Sequence, residues 1–140
     1  MITTVFVYGT LKRGQCRESM WPVAPRRIQW GWIRGTLFDR QDYPAMTAGQ
    51  DRVLGELWSF DADQVDAVLE VLDQIEGTNQ PGQADLYHRV VTAVAADDET
   101  QLGEAWTYHY ASDPLLDGFQ RLLPDRTRYV RWPAADAQAP

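Results

Sequence analysis

Apolar positions along the chain follow two spacings, alternate residues in some stretches and every third or fourth in another, and the switches between them mark out its elements. Residues 5–8, Val-Phe-Val-Tyr, are an unbroken apolar run that predicts a buried first strand. The run breaks at Gly9-Thr10-Leu11 and enters a basic turn, Lys12-Arg13-Gly14. Residues 15–21 have room for one or two helical turns, ended by Pro22. A long β-type stretch covers residues 26–39, and Gly31 and Gly35 inside it suggest a bulge or sharp bend that curls a small sheet towards a barrel. Residues 41–44 read as a turn, and 44–46 as a short edge strand. Residues 52–60 alternate as another strand, with Glu56 on the face of Leu54, Trp58 and Phe60. A carboxylate on that face must stand at a strand end or be held by partners.

The spacing changes at Asp61, a good N-cap with Gln64 three residues on to complete a capping box. Val65, Val68, Leu69, Leu72 and Ile75 recur at helical spacing, which predicts an amphipathic helix packed on the sheet and stopped by Gly77. Residues 78–85 form a polar loop long enough to be a mobile lid. Strand character returns over 86–95 and 102–110, an expected antiparallel pair joined by the polar turn at 97–100. Asp113-Pro114 opens a short helix or turn, residues 121–132 mix basic and aromatic side chains, and 134–140 are expected to be disordered. The expectation is one domain over residues 1–133.

Glu76 breaks the helix's pattern. At about 100° per residue it falls within roughly 40° of Val65, Leu69 and Leu72, on the apolar stripe. It also sits at the C-terminal end of the helix, where the macrodipole disfavours a negative charge. Both effects raise its pKa, as general acid–base work near neutral pH requires. The alternative is that the helix frays at Ile75 and Glu76 simply reaches solvent. The Gly9-Thr10-Leu11 break has two readings as well. Successive N–H groups at a strand end can form an anion-binding nest, and a glycine allows close approach of a ligand; otherwise the stretch is a buried strand and an ordinary turn.

Composition narrows the function. The net charge of −7 argues against a nucleic-acid footprint despite six Trp, and no apolar run approaches the length of a membrane span. The N-terminal residues carry no leader-like pattern, so secretion is not expected. A single cysteine, Cys16, permits no internal disulfide and fits a reducing cytoplasm. Scattered His88, His109 and Cys16 give no metal-ligand spacing, so no metal site is expected. The histidines read as packing or surface residues, and Cys16 lacks an identifiable base despite Arg13 and Arg17 beside it. Arg89 could serve an anionic substrate or form an ion pair with Glu56 or Glu104. The GTLKRG stretch does not match a phosphate loop.

Taken together, VFVYGTLKRGQ at the start, GTLF, YPAM and GELW inside, LDQIEG at the helix end and the following YHR and TY resemble the gamma-glutamylcyclotransferase-like family, over roughly residues 4–111. The nearest likeness is to gamma-glutamylamine cyclotransferases and their bacterial relatives. The resemblance implies an α+β fold, a small mixed β-barrel flanked by a few helices, with a cavity between the YGTL loop and the glutamate closing the helix. It implies Glu76 as the catalytic residue and Tyr8, Gly9, Thr10 and Leu11 as the substrate-gripping loop. It further implies a gamma-glutamyl amide or amine as substrate, cyclised by its own α-amine to 5-oxoproline with release of a free amine. The nucleophile lies within the substrate, so the reaction calls for no enzyme nucleophile, metal or cofactor. This chain departs from its relatives at Arg17, where Asn is common, and in a longer loop between Gly77 and Tyr87. A non-catalytic module binding a carboxylate-containing ligand is the alternative from a different class, and a Trp-rich single-strand binder is disfavoured by the charge. The oligomeric state and the amine carried by the substrate stay open.

Overall fold

The computed structural model describes residues 1–134, and the tail expected at 134–140 lies, except for Ala134, outside them. Five strands close into a barrel: β1 (Thr4–Val7), β2 (Arg27–Arg40), β3 (Tyr43–Ser59), β4 (Tyr87–Ala95) and β5 (Gln101–Tyr110). Going round, β2 pairs with β4, β4 with β5, β5 with β1, β1 with β3, and β3 back with β2. The β1–β5 pairing is parallel and the other four are antiparallel, which makes the barrel mixed. Two short strands, β6 (Gln120–Arg121) and β7 (Tyr129–Val130), attach to β2 and β3. They lie in the stretch that the sequence pattern leaves without elements. The helix α1 (Val65–Glu76) packs against the outside of the barrel. None of the helices among the described residues is long and apolar enough to cross a membrane.

Alternation along β1 divides the core. Val5 and Val7 join the cluster under α1, with Val65, Val68, Leu69 and Leu72. Phe6 and Tyr8 point the other way, into a cluster with Ile33, Leu37, Val53 and Leu57 that fills the barrel. Gly55 of β3 lies at the tightest point of that packing, where a Cβ would come within 2.4 Å of the Val7 carbonyl and 2.6 Å of the Phe6 ring. The bend expected in β2 is a register shift between Gly35 and Thr36, opposite an extra loop of β3 around Gly49.

Three local expectations are corrected. Residues 44–46 are not a separate edge strand, because Pro44, Ala45 and Met46 pair with Asp39, Phe38 and Leu37 and extend β3 back to a two-residue hairpin turn. Asp61 does not cap α1: its carboxylate instead meets Arg26 at 2.9 Å, and its carbonyl accepts from Gln64 and Val65. Arg89 pairs with neither Glu56 nor Glu104. Its Nε lies 3.0 Å from Asp73 on α1, and its guanidinium stacks 4.6 Å from the Trp106 ring. Glu56 is held by partners inside the strand, as one of its two readings required. Its buried carboxylate accepts from the Arg13 N–H at 2.9 Å, Arg13 Nε at 3.1 Å and Trp58 Nε1 at 3.1 Å.

Candidate functional site

Where β1 leaves the barrel, the chain turns over the C-terminal end of α1 and leaves a recess of about 100 Å³ between them. Tyr8, Gly9, Thr10 and Leu11 line one side, and Glu76 lines the other. Pro44 from the β2–β3 hairpin and Tyr87 and Tyr108 from β4 and β5 complete the wall. All five residues singled out in the sequence therefore meet in one place. Their roles there are a matter of chemistry, taken up below.

The loop keeps its shape through its carbonyls. Lys12 N–H donates back to the Gly9 carbonyl at 3.1 Å, Arg17 N–H to the Thr10 carbonyl at 2.9 Å, and Trp21 Nε1 to the Leu11 carbonyl at 2.9 Å. The N–H groups of Gly9, Thr10 and Leu11 have no partner among the described residues. Orphaned donors on buried residues beside a cavity are costly unless something in the cavity accepts from them. Gly9 is required for a reason other than ligand approach: a Cβ there would sit 2.5 Å from Cγ of Pro44, whose ring lies against it.

Glu76 ends the helix as the last residue before Gly77, which takes the left-handed conformation at φ 66°. Gly77 and Thr78 donate back to the Gln74 and Asp73 carbonyls, so the helix is sealed and does not fray. That fixes the direction of Glu76 and removes the reading in which it swings out to bulk solvent. As a residue it is only half-buried, because it faces an open recess, yet protein crowds its carboxyl on the remaining sides. Burial pushes its pKa up to about 7, with the nearby charge of Arg17 working in the opposite direction. Among the described residues its carboxylate takes part in no hydrogen bond or salt bridge.

The tyrosines around it are spoken for. Tyr8 hydroxyl donates to the Tyr108 carbonyl at 2.6 Å, Tyr87 hydroxyl to the Pro44 carbonyl at 2.6 Å, and Tyr108 hydroxyl to Asp73 at 2.7 Å. Burial holds all three well above the usual phenol range, with Glu76's charge adding to it, so they stay neutral. Glu76 is left as the recess group able to exchange a proton near neutral pH. Of these, the sequence reading singled out Tyr8 and missed Tyr87 and Tyr108. The available signal was their place in the YHR and TY motifs, whereas their convergence on Glu76 follows from the β4–β5 register. None of residues 78–85, read as a lid, lines the recess. That loop folds on itself through Asn79 N–H to Asp85 at 2.8 Å, and the following Leu86 reaches the cavity. His88 and His109 lie elsewhere, opposite one another on β4 and β5, and Cys16 is exposed.

A family model described as gamma-glutamyl cyclotransferase, AIG2-like, matches residues 5–132. No curated protein matches the chain. Among solved structures, an AIG2-like protein from Mus musculus superposes with a TM-score of 0.63 at 20% identity, covering 99% of this chain and 91% of its own. A protein from Arabidopsis thaliana matches with a TM-score of 0.58 at 26% identity, over 83% and 73% of the two chains. A Bacillus subtilis protein matches with a TM-score of 0.60 at 19% identity over 87% of this chain, which spans only 38% of that longer one.

Proposed function

Since the chain belongs to the gamma-glutamyl cyclotransferase, AIG2-like family, we propose that it cyclises a gamma-glutamyl amide or amine to 5-oxoproline and releases the free amine, with Glu76 moving the protons. The observation that carries this reading is an unpaired carboxylate with a pKa of about 7, facing the unbonded N–H groups of Gly9, Thr10 and Leu11 across one recess.

The chemistry follows from that placement. The glutamyl α-ammonium gives a proton to Glu76, and the freed amine attacks its own γ-carbonyl carbon. A C–N bond forms and closes a five-membered ring, the carbonyl carbon becomes tetrahedral, and its oxygen gathers negative charge. As the ring settles into a lactam, the bond to the original amide nitrogen breaks. The α-nitrogen sheds two protons in all, the leaving nitrogen gains two, and Glu76 passes them across in turn. The loop N–H groups supply donors for the substrate's carboxylate or for the developing oxyanion, contributing most as charge builds up. The enclosing tyrosines fold the substrate into its cyclising shape, where orientation alone lowers the barrier by several kcal/mol.

The test is incubation with gamma-glutamyl-alanine, gamma-glutamyl-lysine and glutathione, following 5-oxoproline by mass spectrometry, with Glu76→Gln alongside. Release by the wild type and a loss of about 10²- to 10⁴-fold in the variant, with binding retained, support the proposal. Near-wild-type rates in Glu76→Gln would remove the residue's role. Silence of the folded wild type on every substrate would favour a binding module on the same fold.

A further inference from the structure

Arg17 is a cation at the recess without an anion. Of the side chains lining the recess, Arg17 carries the positive charge and Glu76 the negative one, yet the two form no salt bridge. Among the described residues the Arg17 guanidinium makes no hydrogen bond, ion pair or stacking contact. Its backbone is nonetheless firmly placed. The Arg17 N–H donates to the Thr10 carbonyl at 2.9 Å, and four residues on Trp21 donates to the Leu11 carbonyl and stacks on Trp58 with ring centroids 4.2 Å apart. Arg17 is therefore fastened to the same loop whose N–H groups face the cavity.

Two separate anion-seeking features thus border a small recess, the loop N–H groups and the Arg17 guanidinium, and a substrate carrying two carboxylates would engage both. We propose that Arg17 recognises a second carboxylate, carried by the leaving amine, so that the substrates are gamma-glutamyl conjugates of anionic amines, such as α-amino acids or short peptides, in preference to simple or cationic amines. This rests on the cyclotransferase reading above and narrows it. A guanidinium binds a carboxylate through paired, charge-assisted hydrogen bonds. The same charge repels a cationic leaving group, so discrimination comes from attraction and repulsion together. Arg17 also eases a difficulty of the site, since a second carboxylate brought near Glu76 without a cation would be repelled by it.

Gamma-glutamyl-alanine and gamma-glutamyl-ethylamide differ only in the leaving group's carboxylate and form the matched pair for the test. The wild type is expected to favour the alanine conjugate in kcat/KM by about ten- to a hundredfold, the range of a charge-assisted hydrogen bond. In Arg17→Ala that ratio collapses towards one, and in Arg17→Lys it recovers in part. A wild-type ratio near one, or a ratio that survives Arg17→Ala, overturns the inference while leaving the cyclotransferase reading intact. If neither compound is turned over, calorimetric titration of gamma-glutamyl-alanine into Glu76→Gln and into Glu76→Gln/Arg17→Ala decides the point, while the cyclotransferase reading is judged on the full substrate panel. Binding lost with Arg17 upholds the anion site, and equal binding or none in either protein overturns it.

Discussion

On the proposed function, a single carboxylate concentrates both the chemistry and the cost of this site. Because Glu76 is held at a pKa of about 7 against an ordinary 4.5, the folded protein binds its proton more tightly than the unfolded chain does. Stability is therefore highest below about pH 4.5 as far as this group is concerned, falls as the pH rises to about 7, and is then level. The difference amounts to up to about 3 kcal/mol. Glu76→Gln should melt above the wild type at pH 8 and converge with it near pH 4.5, a comparison that thermal unfolding at the two pH values makes directly. On the proposed function the same titration sets the activity. If Glu76 is the base, kcat/KM should rise about tenfold per pH unit below 7 and level off above it, and a profile flat from pH 5 to pH 8 would assign the base elsewhere. Gly9 is the second residue on which much turns. Gly9→Ala drives a methyl to 2.5 Å from the Pro44 ring, which is fixed in the hairpin, so about 1–3 kcal/mol of stability should be lost in urea titration together with turnover.

Loop, strand and helix each contribute one fixed point to the recess. The loop after β1 is anchored at its far end by Glu56, whose buried carboxylate holds both the backbone and the side chain of Arg13. Glu56→Ala leaves the Trp58 indole and the Arg13 N–H without acceptors, at a cost of about 2–4 kcal/mol. On the proposed function it should also raise KM more than it lowers kcat, because it loosens the loop proposed to grip substrate and leaves Glu76 in place; steady-state kinetics on the folded fraction separates the two effects. Much at this scale was readable from spacing. The helical period of Val65 to Ile75 placed Glu76 on the apolar stripe, and Gly77 marked the stop. Asp61 was misread because a capping pattern competes with any cation that folding brings near, and Arg26 is that cation. Residues 44–46 read as a separate edge strand, since Pro44 punctuates the sequence, yet their hairpin partner at residues 37–39 makes them the start of β3.

Closure of the barrel decides how these points come together. β1 runs between β3 and β5, and its two faces feed two cores, so Gly55 must let Phe6 and the Val7 carbonyl pass. Gly55→Ala places a Cβ 2.4 Å from a main-chain oxygen that has nowhere to move. A loss of more than about 3 kcal/mol is expected, or failure to fold, read by circular dichroism and urea titration.

By its own periodicities the chain determined which stretches become strands and helix, the apolar position of Glu76, and the break in backbone pairing at Gly9-Thr10-Leu11. These are short-range matters, settled by which side chains recur on one face and where glycine interrupts them. Only the tertiary structure decided that Pro44, Tyr87 and Tyr108 would wall the recess, that Asp73 would take Arg89, and that Arg17 would face Glu76 without pairing with it. Those contacts join residues far apart in the chain through strand register and barrel closure. Both are settled by packing summed over the whole core, which no local pattern records.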